Sequence, residues 1–283
     1  MERYELEHRI RTQYAREGLA ARLLEALRAR GRDPGRLSPE DLAGFEDMHA
    51  GGRAATESVA ALLAPKPGSL VLDVGSGLGG PARYVARTFD CRVVGVDITP
   101  ELVEAARVLT ERVGLADRVE FRVASALDLP FESRSFDAAF TIHVGMNIAD
   151  KERFYCEIGR VLKPDTWLVI YDLFHMGGEI DYPMPWAEDE SASFLLRPDE
   201  LDRLLTRLGY EVVSIRNRTR AAAEAMRESA RRAARTGRDE EAGSPPLVMG
   251  PHWREKVANL ASALSEGRLG AYEFLVRRVG VAD

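Results

Sequence analysis

Val71-Leu72-Asp73-Val74-Gly75-Ser76-Gly77-Leu78-Gly79-Gly80 is a short apolar run that breaks into four glycines within six residues. A continuous apolar run of this length closed by glycine reads as a strand over 70–74 that turns tightly into a helix. Lacking Cβ, glycine permits the positive φ of such a turn and lets a ligand come close to the backbone. Upstream, Pro65-Lys66-Pro67-Gly68 ends a helical pattern. Downstream, strands are expected near 92–97, 119–123, 136–141 and 167–173, with helices near 81–89, 100–113 and 151–162. Strands rich in Val, Ile and Leu and separated by helices are buried on both faces, which implies an α/β protein with a doubly wound parallel sheet.

The glycines fit two registers. Gly75, Gly77 and Gly79 read as GxGxG, whereas Gly75, Gly77 and Gly80 satisfy the dinucleotide-binding GxGxxG. The second strand ends at Asp97, 18 residues past Gly79, where a carboxylate can accept from ribose hydroxyls in either case. Charge separates the two. A pyrophosphate favours amides and a positive field at a helix N-terminus, whereas S-adenosylmethionine carries a sulfonium and an ammonium that favour a carboxylate. Asp73, two residues before the first glycine, supplies one.

With these residues in hand, the sequence resembles the class I S-adenosylmethionine-dependent methyltransferases. Asp73 to Gly79 matches their first motif and Gly95-Val96-Asp97-Ile98 their second. Ala126-Leu127-Asp128-Leu129-Pro130-Phe131, Ser135-Phe136-Asp137-Ala138-Ala139-Phe140 and Leu162-Lys163-Pro164 continue the series in order. The resemblance implies a Rossmann-like, mostly parallel seven-stranded sheet with the last strand antiparallel. It further implies that Gly75, Ser76, Gly77 and Gly79 line the methionine part of the donor, that Asp97 holds the ribose, and that Ile98, Ala126 and Leu127 flank the adenine. Ser125 stands where the family often has an aspartate that accepts from the adenine amino group.

Phe45-Glu46-Asp47-Met48-His49-Ala50-Gly51-Gly52-Arg53-Ala54-Ala55-Thr56, together with His143-Val144-Gly145-Met146-Asn147-Ile148, looks like a narrower small-molecule subgroup. That subgroup includes sarcosine/dimethylglycine, tocopherol, sterol and natural-product methyltransferases. The reaction implied is transfer of a methyl group from sulfonium to a nucleophile held in line, releasing S-adenosylhomocysteine. O-methylation of a natural-product hydroxyl leads, with N-methylation of a glycine-derived amine, C-methylation of an isoprenoid or polyketide, and a non-methylating cyclase or rearrangement catalyst as alternatives. His143 falls just past the fourth strand, where ligands of open α/β sheets bind, and is expected beside the donor and as the base. Arg53 is expected to pair with the donor's carboxylate, and His49 to line the pocket. Tyr4 and Tyr14 lie on a helix expected to close over the site, and Phe174, His175, Trp186 and Trp253 are expected at the substrate.

The 283 residues divide as a helical arm or lid over 1–64 and a catalytic core over 65–283, with a helical substrate-cap insertion at about 218–268. Ser38-Pro39-Glu40-Asp41 carries a helix start within the arm. Gly237–Pro251 reads as a polar excursion. A net charge of -6 argues against a nucleic-acid binder acting through its overall field. Cys91 and Cys156 make no disulfide framework, and no His/Asp/Glu cluster has metal-ligand spacing, so no metal is expected. Without an apolar leader or span, the expectation is a cytoplasmic protein without a membrane partner.

Overall fold

The apolar run forms β1 (Leu70–Val74), and the four strands located downstream are present as β2 (Arg92–Asp97), β3 (Val119–Val123), β4 (Phe136–Ile142) and β5 (Leu162–His175), with β6 (Tyr210–Asn217) and β7 (Leu269–Arg278) completing seven. The computed structural model describes residues 3–43, 46–236, 245–250 and 252–279. The strands make one sheet in the order β3-β2-β1-β4-β5-β7-β6. All neighbours run parallel except β7, which is antiparallel to both β5 and β6. The order reverses between β1 and β4, and that crevice at the carboxyl ends of the strands is where a doubly wound sheet takes its ligand.

Eleven α-helices are described: α1 (Arg3–Tyr14), α2 (Leu19–Ala29), α3 (Pro39–Leu42), α4 (Gly52–Leu63), α5 (Gly80–Phe89), α6 (Pro100–Arg112), α7 (Lys151–Val161), α8 (Pro198–Arg207), α9 (Thr219–Thr236), α10 (Pro245–Met249) and α11 (Trp253–Ser265). Helices α4, α5, α6, α9 and α11 contribute to one buried cluster with the sheet, including Val59, Val85, Val103, Ala222 and Leu264. Helices α7 and α8 cover the other face through Phe154, Ile158, Leu201 and Leu205. None of the helices among the described residues is long and apolar enough to cross a membrane.

Local chemistry explains the arm. Leu19, Leu23 and Leu27 recur at helical spacing on α2 and are buried with Leu102, Ala105 and Leu109 of α6. Ser38 caps α3 as its sequence suggests: its Oγ accepts from the Asp41 backbone N–H at 3.3 Å, while its own N–H donates to Asp41 Oδ2 at 2.9 Å. The excursion expected over 237–251 is not all loop. Residues 237–244 and 251 lie outside the described residues, but Pro245–Met249 forms α10. Prolines fit its first turn, and Val248 is buried in the cluster formed by α2 and α6.

Candidate active site

The loops that follow β1, β2, β3 and β4, with α1, α10, α11 and the segment around Trp186, enclose a cavity of about 440 Å³. Its floor is the glycine turn. The backbone N–H groups of Gly75 and Ser76 both donate to Val96 O, at 2.8 and 2.9 Å, which ties the turn to the end of β2. Gly75 has φ 80°, and a Cβ there would stand 2.1 Å from Val144 Cγ2. Gly77, at φ 52°, has nothing within 4 Å of a Cβ position and faces open space. One glycine is therefore needed for packing and the other leaves room.

Acidic groups gather at this end. Asp97 receives the N–H groups of Gly77 and Thr99, each at 2.9 Å, so the end of β2 and the glycine turn share one carboxylate. Asp73, which lies between Gly95 and Phe140 in the sheet, is 2% exposed, and its Oδ2 has no hydrogen-bond partner. Burial raises its pKa well above the ordinary carboxylate value, with the neighbouring Asp97 adding to the effect. Ser76 Oγ is likewise buried without a partner. Glu46 also lines the cavity and pairs with Arg83, which donates to Leu78 O at 2.6 Å and so braces the turn from behind.

The opposite end is apolar, walled by Ile10, Met48, Met146, Trp186, Val248 and Leu260, and carries two histidines. His49 Nε2 lies 3.0 Å from Gly52 O and 3.1 Å from Thr56 Oγ1. A carbonyl can only accept, so Nε2 holds the proton and Nδ1 the lone pair. Thr56 in turn donates to Asp47 Oδ1 at 2.8 Å. His143 follows β4 at φ 53°, a left-handed conformation uncommon for a non-glycine residue. Its N–H donates to Tyr171 O at 2.8 Å, and its ring stacks on Tyr171 with centroids 5.1 Å apart. The two imidazoles stand 6.0 Å apart edge to face. His143 Nε2 is buried without a partner, and burial, then the nearby His49, hold its pKa well below the ordinary histidine value. Tyr14 reaches this end from α1 beside Asn147, and burial keeps its phenol protonated.

Residues 72–170 match the model of a methyltransferase domain. These residues carry a methyltransferase domain. An O-methyltransferase of Penicillium expansum is 34% identical over 183 residues, 62% of this chain and 64% of that protein. The chain spans less than two thirds of the length of the curated relatives first matched. Two solved structures share the fold. A geranyl diphosphate C-methyltransferase of Streptomyces coelicolor, in complex with Mg2+, a thiolodiphosphate analogue and S-adenosylhomocysteine, superposes with a TM-score of 0.69 at 18% identity, covering 97% of this chain and 98% of that one. The [4+2]-cyclase SpnF superposes with a TM-score of 0.66 at 23% identity, covering 93% of each.

Within the methyltransferase domain and its flanking helices, the cavity brings together Asp73, Gly75, Ser76, Gly77, Asp97, Ile98, Ser125, Ala126, Leu127, His143, His49, Tyr14 and Trp186. Other residues singled out in the sequence do not line it. Gly79 starts α5 and abuts Phe121, where a Cβ would meet the ring at 2.3 Å. Arg53 lies over the Tyr84 ring at 4.2 Å and pairs with Glu57 at 3.4 Å. Tyr4 is 78% exposed on the outer side of α1. Phe174 packs against Phe274 and Tyr272 in the core, His175 lies 2.9 Å from Gly178 O, and Trp253 faces Arg254.

Two contributions escaped the sequence reading. Val248 and Met249 roof the cavity from α10, and the apolar trio Leu247-Val248-Met249 inside a polar stretch is the signal that marks them. Lys151, buried beneath the turn after β4, donates to the carbonyls of Gly145, Ile148 and Phe194 and so fixes Met146 and Asn147 at the cavity wall. Burial lowers its pKa to about 8, against a raising influence from Asp172.

Proposed function

We propose that this chain methylates a hydroxyl group on an apolar, uncharged small molecule, with S-adenosylmethionine as donor and S-adenosylhomocysteine as product. The observation that carries the reading is one cavity with two unlike ends, an acidic end on the glycine turn and an apolar end bearing His49 and His143.

The acidic end fits the donor. An unpartnered buried carboxylate at Asp73 suits an ammonium or a sulfonium. Asp97 stands where a ribose would meet it, the open space at Gly77 admits the methionine part, and Ile98 and Leu127 offer apolar surface to a purine. When bound, the donor supplies an electrophilic methyl group. His143 Nε2 takes the proton from the substrate hydroxyl, and burial keeps that ring neutral and able to accept at pH 7. His49 and Tyr14 border the same space, while α1 and α10 keep water from it.

Charge narrows the substrate. Among the described residues no arginine or lysine lines the cavity, whereas Glu7, Glu46, Asp73, Asp97 and Asp150 do. A phosphate or a diphosphate would enter without a counter-ion, which disfavours a diphosphate ester. The O-methyltransferase relatives agree with a hydroxyl acceptor.

The test is incubation with S-adenosylmethionine and a panel of lipophilic phenols and alcohols. The expected outcome is S-adenosylhomocysteine with a product heavier by one CH2. Bound donor left intact beside a rearranged substrate would replace this reading with that of a cyclase, as in the SpnF neighbour.

A further inference from the structure

At the far end of the acidic half, α1 reaches across to the loop after β3. Ser125 Oγ donates to Glu7 Oε1 at 2.7 Å and accepts from the Leu127 N–H at 3.1 Å. Both bonds of the hydroxyl are thereby oriented, and its proton points at the carboxylate. Ser125 and Glu7 line the cavity together with the apolar side chains of Ile98, Leu102, Ala126 and Leu127. Apolar side chains with a carboxylate among them suit a flat heteroaromatic ring bearing an exocyclic amine, because a carboxylate only accepts. A ring with a carbonyl at that position would meet two acceptors face to face.

We propose that Glu7, from the N-terminal helix, is the specificity-determining residue for an amino-bearing purine in this part of the cavity. The proposal rests on the reading of the cavity as a site for S-adenosylmethionine. Glu7 would then supply, from an element outside the sheet, the carboxylate that Ser125 lacks. Ser125 becomes a positioning residue that holds Glu7 toward the ring, and the purine is sealed in by the helix that recognises it.

The experiment is calorimetry of the full chain with S-adenosylhomocysteine and with S-inosylhomocysteine, in which the amine is replaced by an oxo group. Wild type should prefer the amino ligand. Glu7→Gln keeps the size and helical fit of the side chain, and its amide serves an oxo group as well as an amine. It should weaken the amino ligand about tenfold and shrink the preference by a similar factor, the size of a charge-assisted hydrogen bond. Ser125→Asp alone sets two carboxylates side by side and should also weaken binding, whereas Glu7→Gln with Ser125→Asp should restore affinity and preference together. A preference unchanged in Glu7→Gln overturns the role of Glu7 while leaving the donor reading intact. Wild type that binds neither ligand overturns both.

Discussion

The two ends of the cavity are built by different means. The acidic end rests on strand termini and the turns that follow them, tied to β2 by the N–H groups of Gly75 and Ser76 on Val96 O and that of Gly77 on the Asp97 carboxylate. The apolar end is roofed by helices from both ends of the chain, α1 and α10, which lie outside the sheet. A donor common to many enzymes calls for a rigid, pre-formed cradle. An acceptor particular to one enzyme can be changed by altering residues that carry none of the sheet's hydrogen bonds.

The comparison breaks most readily at the glycine turn. Gly75→Val forces a β-branched residue to φ 80° and drives it into Val144, and binding of S-adenosylhomocysteine by calorimetry should fall by about a hundredfold or more. A variant that still binds with near wild-type affinity would mean that the turn is not the cradle. The next largest effect belongs to the apolar end. His143→Ala should lower turnover of a hydroxyl substrate by about a hundredfold while leaving S-adenosylhomocysteine affinity within about twofold. Because the His143 pKa is depressed, wild-type turnover should persist as pH falls through the ordinary histidine value, and a steep loss there would point to another base.

Asp73→Asn tests the electrostatics of the acidic end. Donor affinity should fall about tenfold, and more for S-adenosylmethionine than for its uncharged thioether product. Stability should move the other way. A carboxylate whose folded pKa is raised loses its proton more readily when unfolded, so stability falls as pH rises from the unfolded value through the folded one. The neutral asparagine avoids that loss, and ligand-free melting at pH 7 should rise by a few degrees, corresponding to about 1 kcal/mol. The smallest effect on the donor is expected at the roof. Val248→Thr should leave S-adenosylhomocysteine affinity within about twofold yet alter the ranking of lipophilic acceptors, measured as kcat/KM across the panel.

The acidic end was far more legible in the sequence than the apolar one. Strands β1, β2 and β4 announce themselves by apolar runs and β3 by alternation, and Asp73, Gly77 and Asp97 lie at the strand ends or in the turns that follow. Local spacing therefore located residues that local geometry positions. Arg53 shows the limit, since its place on α4 suggested a contact with the donor's carboxylate, and packing sets it over the Tyr84 ring. Glu7 lies 118 residues from Ser125, and no local pattern links them. Phe174 looked like a pocket aromatic because it ends a strand near the crevice, yet strand alternation turns it into the core against Phe274. The roof was hardest to foresee, because α10 is a five-residue helix whose only mark is three apolar side chains.

Helix α1 touches both halves of the cavity, through Glu7 beside Ser125 and through Tyr14 beside Asn147. A helix that spans two ligand sites couples their traffic. On the proposed reading, departure of either molecule past α1 would displace the same twelve residues, which would tie release of the spent donor to release of the product.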